Sequence, residues 1–491
     1  MIGNLKPYPV MKDSGVPWLE SVPTHWEVAP LKRFVLNDPG AIRAGPFGSQ
    51  LTSAEMTGVD YKVYTQRNVI DRDLDGGRKY VSQEKFNTLR AFEVVPGDVL
   101  VTSRGTIGRT VIVKEGSKPG VLHPCLLRVR PDCTILAPIF LLTLIQDSQL
   151  LPLQLQFLSN ATTIDVIYSD TLANVVLPVP PLAEQTAIVR FLDYVDRRVR
   201  RYVRAKQKLI KLLEEHKQAI IHQAVTRGLD PAVPLKDSGV DWLGKVPENW
   251  EVVRFKYRVG FQEGPGIMAS DFRETGVPLL RISCLQGSVA TLDGCNYLDP
   301  HAVQRRWKHF RVRVGDYLLS ASASTGATVL ATKAVEGAIP YTGIIRLWPL
   351  SMKTHMPFLK LYLGCQPFQA QIESAKSGVA ISHFGPTHLN RMVICLPSIE
   401  EQTRIVEFVN EFITPTAAVI EQSKREIELL REYRTRLIAD VVTGKVDVRE
   451  AAANLPDDHE DDESADEGTD LIDGDDELAD DLEAVIEEAE A

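Results

Sequence analysis

Apolar residues recur every three to four positions through two long stretches of the chain. After Pro178, Pro180 and Pro181, the residues Ile188, Leu192, Val195, Val199 and Tyr202 step by four and three, and the series continues through Leu209, Leu213 and Ile220, interrupted by Lys206 and His216. After Pro397 the counterpart runs through Ile405, Val409, Phe412, Ile420, Ile427, Leu430, Leu437 and Val441. Lys, Arg, Glu and Gln fill the positions between, which is the pattern of a helix with a heptad stripe. Both stretches run out at a glycine, Gly228 and Gly444, the usual helix terminator. In the second, Thr414-Pro415 predicts a break, with Thr414 capping and Pro415 in the first turn of a new helix of roughly 28 residues, about 42 Å long. Helices of this length would leave their apolar seam in water unless they paired. Val203, Ile210, Leu213 and Ile220 are therefore expected to meet Ile420, Ile427, Leu430 and Leu437 in an antiparallel coiled coil that carries one domain at each end of a rod. The alternative is that each helix packs on its own domain.

Elsewhere the pattern is of short β segments with loops, at 61–63, 99–101, 110–113 and 126–129 and again at 279–283, 317–319 and 344–347. A helical stretch closes each region, at 140–156 and 358–374. An α+β fold is expected on each side of the first long helix.

The two halves are copies. Lys12-Asp13-Ser14-Gly15-Val16, Trp18-Leu19, Val22-Pro23 and Trp26-Glu27-Val28 reappear 224 positions later as Lys236-Asp237-Ser238-Gly239-Val240, Trp242-Leu243, Val246-Pro247 and Trp250-Glu251-Val252. The match continues with a drifting offset. Gly97-Asp98-Val99-Leu100 answers Gly315-Asp316-Tyr317-Leu318, Arg128 and Pro131 answer Arg346 and Pro349, and Glu184-Gln185-Thr186 answers Glu401-Gln402-Thr403. A period above 200 residues is too long for a solenoid, so it marks two homologous domains. Residues 43–165 and 260–382 align poorly, so the copies share a frame and differ in its filling. The division expected is a first α+β domain at 1–181, a helical spacer at 182–230, a second domain at 231–397, a second spacer at 398–450 and a tail at 451–491.

Composition narrows the class. Apolar residues make up 44% of the 491, enough for several cores. The longest apolar run, 135–145, contains Pro138 and is far shorter than the roughly 20 residues of a membrane span. No basic-then-apolar leader opens the sequence, so a cytoplasmic protein is expected. Cys125, Cys133, Cys284, Cys295, Cys365 and Cys395 never fall two residues apart as in a zinc knuckle or redox pair, which points to reduced thiols and no metal. The formal net charge of −10 conceals an asymmetry. Residues 456–491 hold 19 of the 65 Asp and Glu and none of the 55 Lys and Arg, so the remainder carries nine surplus positive charges. A basic body suits a polyanion such as DNA, and the acidic tail has the composition of a disordered segment.

Several loops offer groups suited to phosphate or base edges, since glycine admits close approach and hydroxyls, amides and guanidinium groups bind phosphates or read bases. In the first copy these are Gly45, Phe47, Ser49 and Gln50; Gln66, Arg67 and Asn68; and Ser103, Arg104, Thr106 and Arg109. In the second they are Gly264; Arg281 and Ser283; Arg305, Arg306 and Lys308; and Ser322, Ser324 and Thr325. Catalytic signatures are missing: there is no Walker loop, H-E-x-x-H, G-x-S-x-G or Asn-Pro-Pro-aromatic segment, and no glycine fingerprint between a strand and a helix. A methyltransferase or nuclease with an unrecognised site, or a coiled-coil scaffold with two protein-binding heads, stays open on the residues alone.

The chain resembles the specificity subunit of type I restriction-modification enzymes. The likeness lies in the Trp-Leu, Val-Pro, Trp-Glu-Val opening of each half, the Gly-Pro-Phe-Gly-Ser loop at 45–49, and Ser-Arg-Gly-Thr-Ile-Gly at 103–108. It extends to Pro-Leu-x-Glu-Gln at 181–185 with its partner at 397–402, and to Val-Val-Thr-Gly-Lys-Val-Asp-Val-Arg at 441–449. It spans everything but the acidic tail. The resemblance implies two target recognition domains, each binding one half of a split DNA sequence, with the helices setting the spacer. It further implies no catalytic residues and no cofactor bound by this chain. Two methyltransferase subunits using S-adenosylmethionine and two restriction subunits using ATP and Mg would complete the complex.

Overall fold

The computed structural model describes residues 5–148, 150–158, 166–240, 243–321, 326–376 and 384–456. Two long helices dominate it, α1 (Leu182–Arg227) and α2 (Ile399–Val442). The chain forms two compact units. One takes the described residues up to Ala205 together with those from Glu426 onward, and the other is Lys206–Arg425. The division therefore runs through both helices, whereas the expected boundaries at 181, 230, 397 and 450 lay near their ends.

The first unit holds two four-stranded sheets. One is antiparallel, in the order Ile42–Ala44, Leu126–Val129, Val99–Thr102, Thr110–Ile112; the other runs Tyr80–Val81, Tyr61–Tyr64, Gly120–Leu122, Glu93–Val94. The second unit repeats the plan, with Val259–Glu263, Ile344–Pro349, Tyr317–Ser320 and Thr328–Leu330 in one sheet and Phe272–Arg273, Asn296–Leu298, Val277–Leu280 and Ile339–Pro340 in the other. The expected strand at 279–283 stops at Leu280, because the chain turns into a short 3-10 segment at Ile282. In both units the smaller sheet contains one parallel pair, Tyr61–Tyr64 with Gly120–Leu122 and Val277–Leu280 with Ile339–Pro340.

Each unit closes its core with one half of each long helix. In the first, Val99, Val101, Leu127 and Phe140 pack with Ile188, Phe191 and Val195 of α1 and with Leu437, Ile438 and Val441 of α2. The helices run antiparallel there: Arg190 of α1 reaches the carbonyls of Leu455 and Pro456, while Asp196, further along α1, pairs with Arg434. In the second unit, Ile221, Ala224 and Val225 of α1 share a core with Ile405, Val406 and Val409 of α2. Here His216 meets the ring of Phe412 at 5.1 Å and Gly228 lies beside Glu401, again antiparallel.

The stripe on α1 is as expected in period, with a correction in register. Tyr202 and Leu209 point outward, 50% and 38% exposed. Val203, Ile210, Leu213 and Ile220 are the half-buried positions, and on α2 Ile420, Ile427 and Leu437 are buried and Leu430 partly so. The predicted break at Pro415 is absent: α2 runs straight through it. Proline there removes the donor to the fourth preceding carbonyl. Thr414 and Thr416 do not cap a new helix either, since their hydroxyls donate back to the carbonyls of Asn410 (2.8 Å) and Phe412 (2.9 Å). A proline inside a helix costs about 3 kcal/mol against alanine, and this helix is held by its tertiary packing. Pro415→Ala is therefore expected to raise the stability of the second unit by about 1–3 kcal/mol in urea unfolding; no gain would mean that the helix needs a bend at this point.

The repeated residues build the frame. Trp26 and Trp250 are buried and donate from Nε1 to Glu184 (3.0 Å) and Glu401 (3.2 Å) in the first turns of α1 and α2. The neighbouring Gln185 accepts from Ala137 N–H and donates to the carbonyls of Ile135 and Pro180; Gln402 does the same with His355, Lys353 and Pro397. Asp98 faces Arg128 and Arg130 in the first unit, and Asp316 faces Arg346 in the second. Burial pushes the pKa of both aspartates up and those of Arg128 and Arg346 down, and the facing opposite charges work against that shift.

Candidate nucleic-acid interface

In the first unit three loops are drawn to one sheet edge by a short connecting segment. His123 donates its N–H to the carbonyl of Tyr64 at the end of its strand (3.0 Å), and the chain then turns through Pro124 and Cys125 into Leu126–Val129. Gly45 N–H donates to Leu126 O (2.8 Å) and Ser103 N–H to Cys125 O (3.0 Å). The loops beginning at Gly45, Thr65 and Ser103 thus share a hub, and the Gln66 side-chain amide adds a link to Arg104 O (3.1 Å). The Thr102 hydroxyl closes the third loop, donating to Thr106 O and accepting from Arg109 N.

The second unit reproduces the three backbone bonds of this scaffold. Tyr341 N–H donates to Leu280 O (3.0 Å), Gly264 N–H to Ile344 O (2.9 Å) and Ala321 N–H to Gly343 O (2.8 Å). Gly108 and Gly326, at φ +82° and +95°, both return an N–H to the carbonyl ending the preceding strand, Thr102 and Ser320. Gly45 and Gly264 are glycine for packing reasons, since a Cβ there would overlap the carbonyl of His123 or of Pro340.

On this common scaffold the side chains differ. Phe47 is 79% exposed at the tip of its loop, its N–H held by the Gln50 side chain, with Ser49 also exposed. Arg104 and Arg109 are exposed, Thr106 is half-buried, and exposed Arg67 pairs with Asp71 at 3.3 Å. In the second unit Met268, 74% exposed, follows Gly264, and Ser283 is exposed after Arg281. Arg305, Arg306 and Lys308 are exposed on the segment 303–310, where Arg306 pairs with Asp271 at 3.5 Å and lies 4.4 Å from the Trp307 ring.

Two expected contact residues belong to the scaffold instead. Asn68 is 4% exposed and its amide is committed: Oδ1 accepts from Thr65 N, and Nδ2 donates to the carbonyls of Asp73 and Gly76. Ser103 is also buried, inside the turn that carries Arg104. Ser322, Ser324 and Thr325 lie outside the described residues, as does the tail beyond Pro456. Met268, Tyr341, Phe272 and Asn296 were not foreseen. The repeated dipeptides Gly45-Pro46 and Gly264-Pro265, 219 apart, would have aligned the first loops and pointed to Met268.

Among the described residues no group of three His, Cys, Asp or Glu is placed to hold a metal ion, and no helix is long and apolar enough to cross a membrane. The six cysteines are free. The arrangement is two copies of a loop-bearing sheet edge, each mounted on paired helices.

Residues 52–211 and 247–429 match the family model described as the type I restriction modification DNA specificity domain, and the chain belongs to that family of DNA sequence-recognition subunits. The type I restriction enzyme MjaVIII specificity subunit of Methanocaldococcus jannaschii is 23% identical over 395 residues, spanning 78% of this chain and 89% of the relative. The EcoBI specificity subunit of Escherichia coli is 23% identical over 304 residues, 60% of this chain and 64% of its own. Among solved structures, a chain from a study titled as the basis of complex assembly and conformational transition of the type I R-M system superposes with a TM-score of 0.66 at 19% identity, over 86% of this chain and 98% of the other. The HsdS subunit of Thermoanaerobacter tengcongensis gives 0.50 at 19% identity with the same coverage.

Proposed function

We propose that each unit's loop edge binds one half of a split DNA target, and that the two halves differ in sequence. The observation that carries this is the pairing of matching backbone scaffolds with different side chains at the loops: exposed Phe47, Arg104 and Arg109 in one unit, exposed Met268 and Ser283 with half-buried Arg281 in the other. A shared scaffold presents each loop set to DNA in the same way, and direct readout by different side chains selects different bases. The helices α1 and α2 fix the distance between the half-sites and serve as the docking surface for two methyltransferase subunits. The chain itself is non-catalytic and holds no cofactor; S-adenosylmethionine, ATP and Mg act on the methyltransferase and the two restriction subunits. The nine surplus positive charges of the body supply the sequence-independent attraction to phosphates.

Replacing residues 45–165 by the equivalent region of another family member, followed by mapping of methylated adenines in cells carrying the whole system, tests this. One half-site is expected to change while the other half and the spacer persist. A change in both halves would overturn the assignment of one unit to one half-site. Removing one heptad from α1 and one from α2 together should alter the spacer alone.

A further inference from the structure

We propose that Arg281 is a guanine-reading residue, held in reading geometry before DNA binds; this rests on the assignment of one half-site to Lys206–Arg425 made above. Arg281 closes the strand Val277–Leu280 and caps the turn that follows, its own N–H bonded to Cys284 Sγ at 3.2 Å. Its side chain is half-buried. The guanidinium lies 4.7 Å from the centre of the Tyr341 ring and 5.9 Å from that of Phe272, two rings that themselves meet edge to face. Nη1 donates to the Asn296 side-chain oxygen at 3.0 Å.

These contacts hold the guanidinium against the Tyr341 ring and tie down one corner of the fork. They leave the rest available, because among the described residues Nε and Nη2 make no hydrogen bond and no carboxylate pairs with the charge. An arginine held over an aromatic ring with an open, un-neutralised edge matches the two acceptors, O6 and N7, that guanine alone presents side by side in the major groove. Preorganisation also lowers the entropy lost when the contact forms. Tyr341 is the hub residue of this sheet edge, which places Arg281 among the loops that the scaffold gathers. The corresponding position in the first unit is Thr65, buried and spent on the Asn68 capping box, so the group belongs to one half-site only.

The test is adenine-methylation mapping in cells that carry the whole restriction-modification system with wild-type chain, Arg281→Lys or Arg281→Ala. In the wild type, one half-site should contain a strictly required guanine whose preference over other bases falls roughly ten- to a hundredfold in both variants. The other half-site and the spacer stay unchanged, which also shows that the variant chains fold. Lysine keeps the charge but not the fork, so its failure to restore selectivity separates base reading from simple phosphate attraction. An unchanged motif, or a uniform fall in methylation with every base preference intact, overturns the proposal for Arg281 while leaving the split target standing. A wild-type motif that is not split overturns the functional assignment beneath it, and this proposal with it.

Discussion

With Gln402 replaced by leucine, the unit Lys206–Arg425 is expected to lose about 3–6 kcal/mol of stability, a large share of the roughly 5–15 kcal/mol typical of a domain. Gln402 is fully buried, and its amide serves three backbone groups from two other segments. Leucine fills the space but leaves the His355 N–H and the carbonyls of Lys353 and Pro397 without partners, and each orphaned buried group costs about 1–3 kcal/mol. Gln185→Leu should do the same to the other unit through Ala137, Ile135 and Pro180. Urea unfolding followed by hydrogen exchange resolves the two. A loss below 1 kcal/mol in the affected unit would show that its backbone groups find other partners.

Glu184→Ala is expected to destabilise the first unit by about 3–5 kcal/mol, while Glu401→Ala costs the second only about 1 kcal/mol. The positions are equivalent in the duplication, and their surroundings are not. Glu184 is 6% exposed and gathers Tyr8 Oη, His25 Nε2 at 2.7 Å and Trp26 Nε1 at 3.0 Å. Half-buried Glu401 receives, among the described residues, Trp250 Nε1 alone, at 3.2 Å. Glu184→Gln retains an acceptor and should fall between wild type and alanine. Equal losses at Glu184 and Glu401 in thermal unfolding would contradict this account.

The frame was legible in the sequence because its residues are repeated. Trp26 with Trp250, Gln185 with Gln402 and Asp98 with Asp316 stand out as pairs, and each does the same job in its own unit. Helix period was equally plain, but register was not. Leu209 is as apolar as Ile210 and the ring of Tyr202 is no less buriable than Val203, so only packing decides which of two adjacent positions turns inward. Pro415 shows local propensity overridden by tertiary contacts along α2.

The candidate interface was legible as loops and not as a site. Which loops converge depends on the parallel pairing of strands about 60 residues apart, Tyr64 beside Leu122 and Leu280 beside Pro340, and nothing local encodes that. Polar type alone also misleads. Asn68 carries the groups of an adenine reader and spends them inside its own turn, whereas Arg281 owes its orientation to Tyr341, Phe272 and Asn296, residues with no mark in the sequence.

The order of synthesis gives the helix halves a further meaning. The first unit cannot complete its core until Leu437, Val441 and Val448 have been made, so its early strands must wait for the whole of Lys206–Arg425 to emerge. The second unit is continuous in sequence and has no such delay. Multidomain chains commonly fold from the N-terminus onward, and this chain is built to finish in the opposite order, with the second of its long helices locking the domain that was translated first.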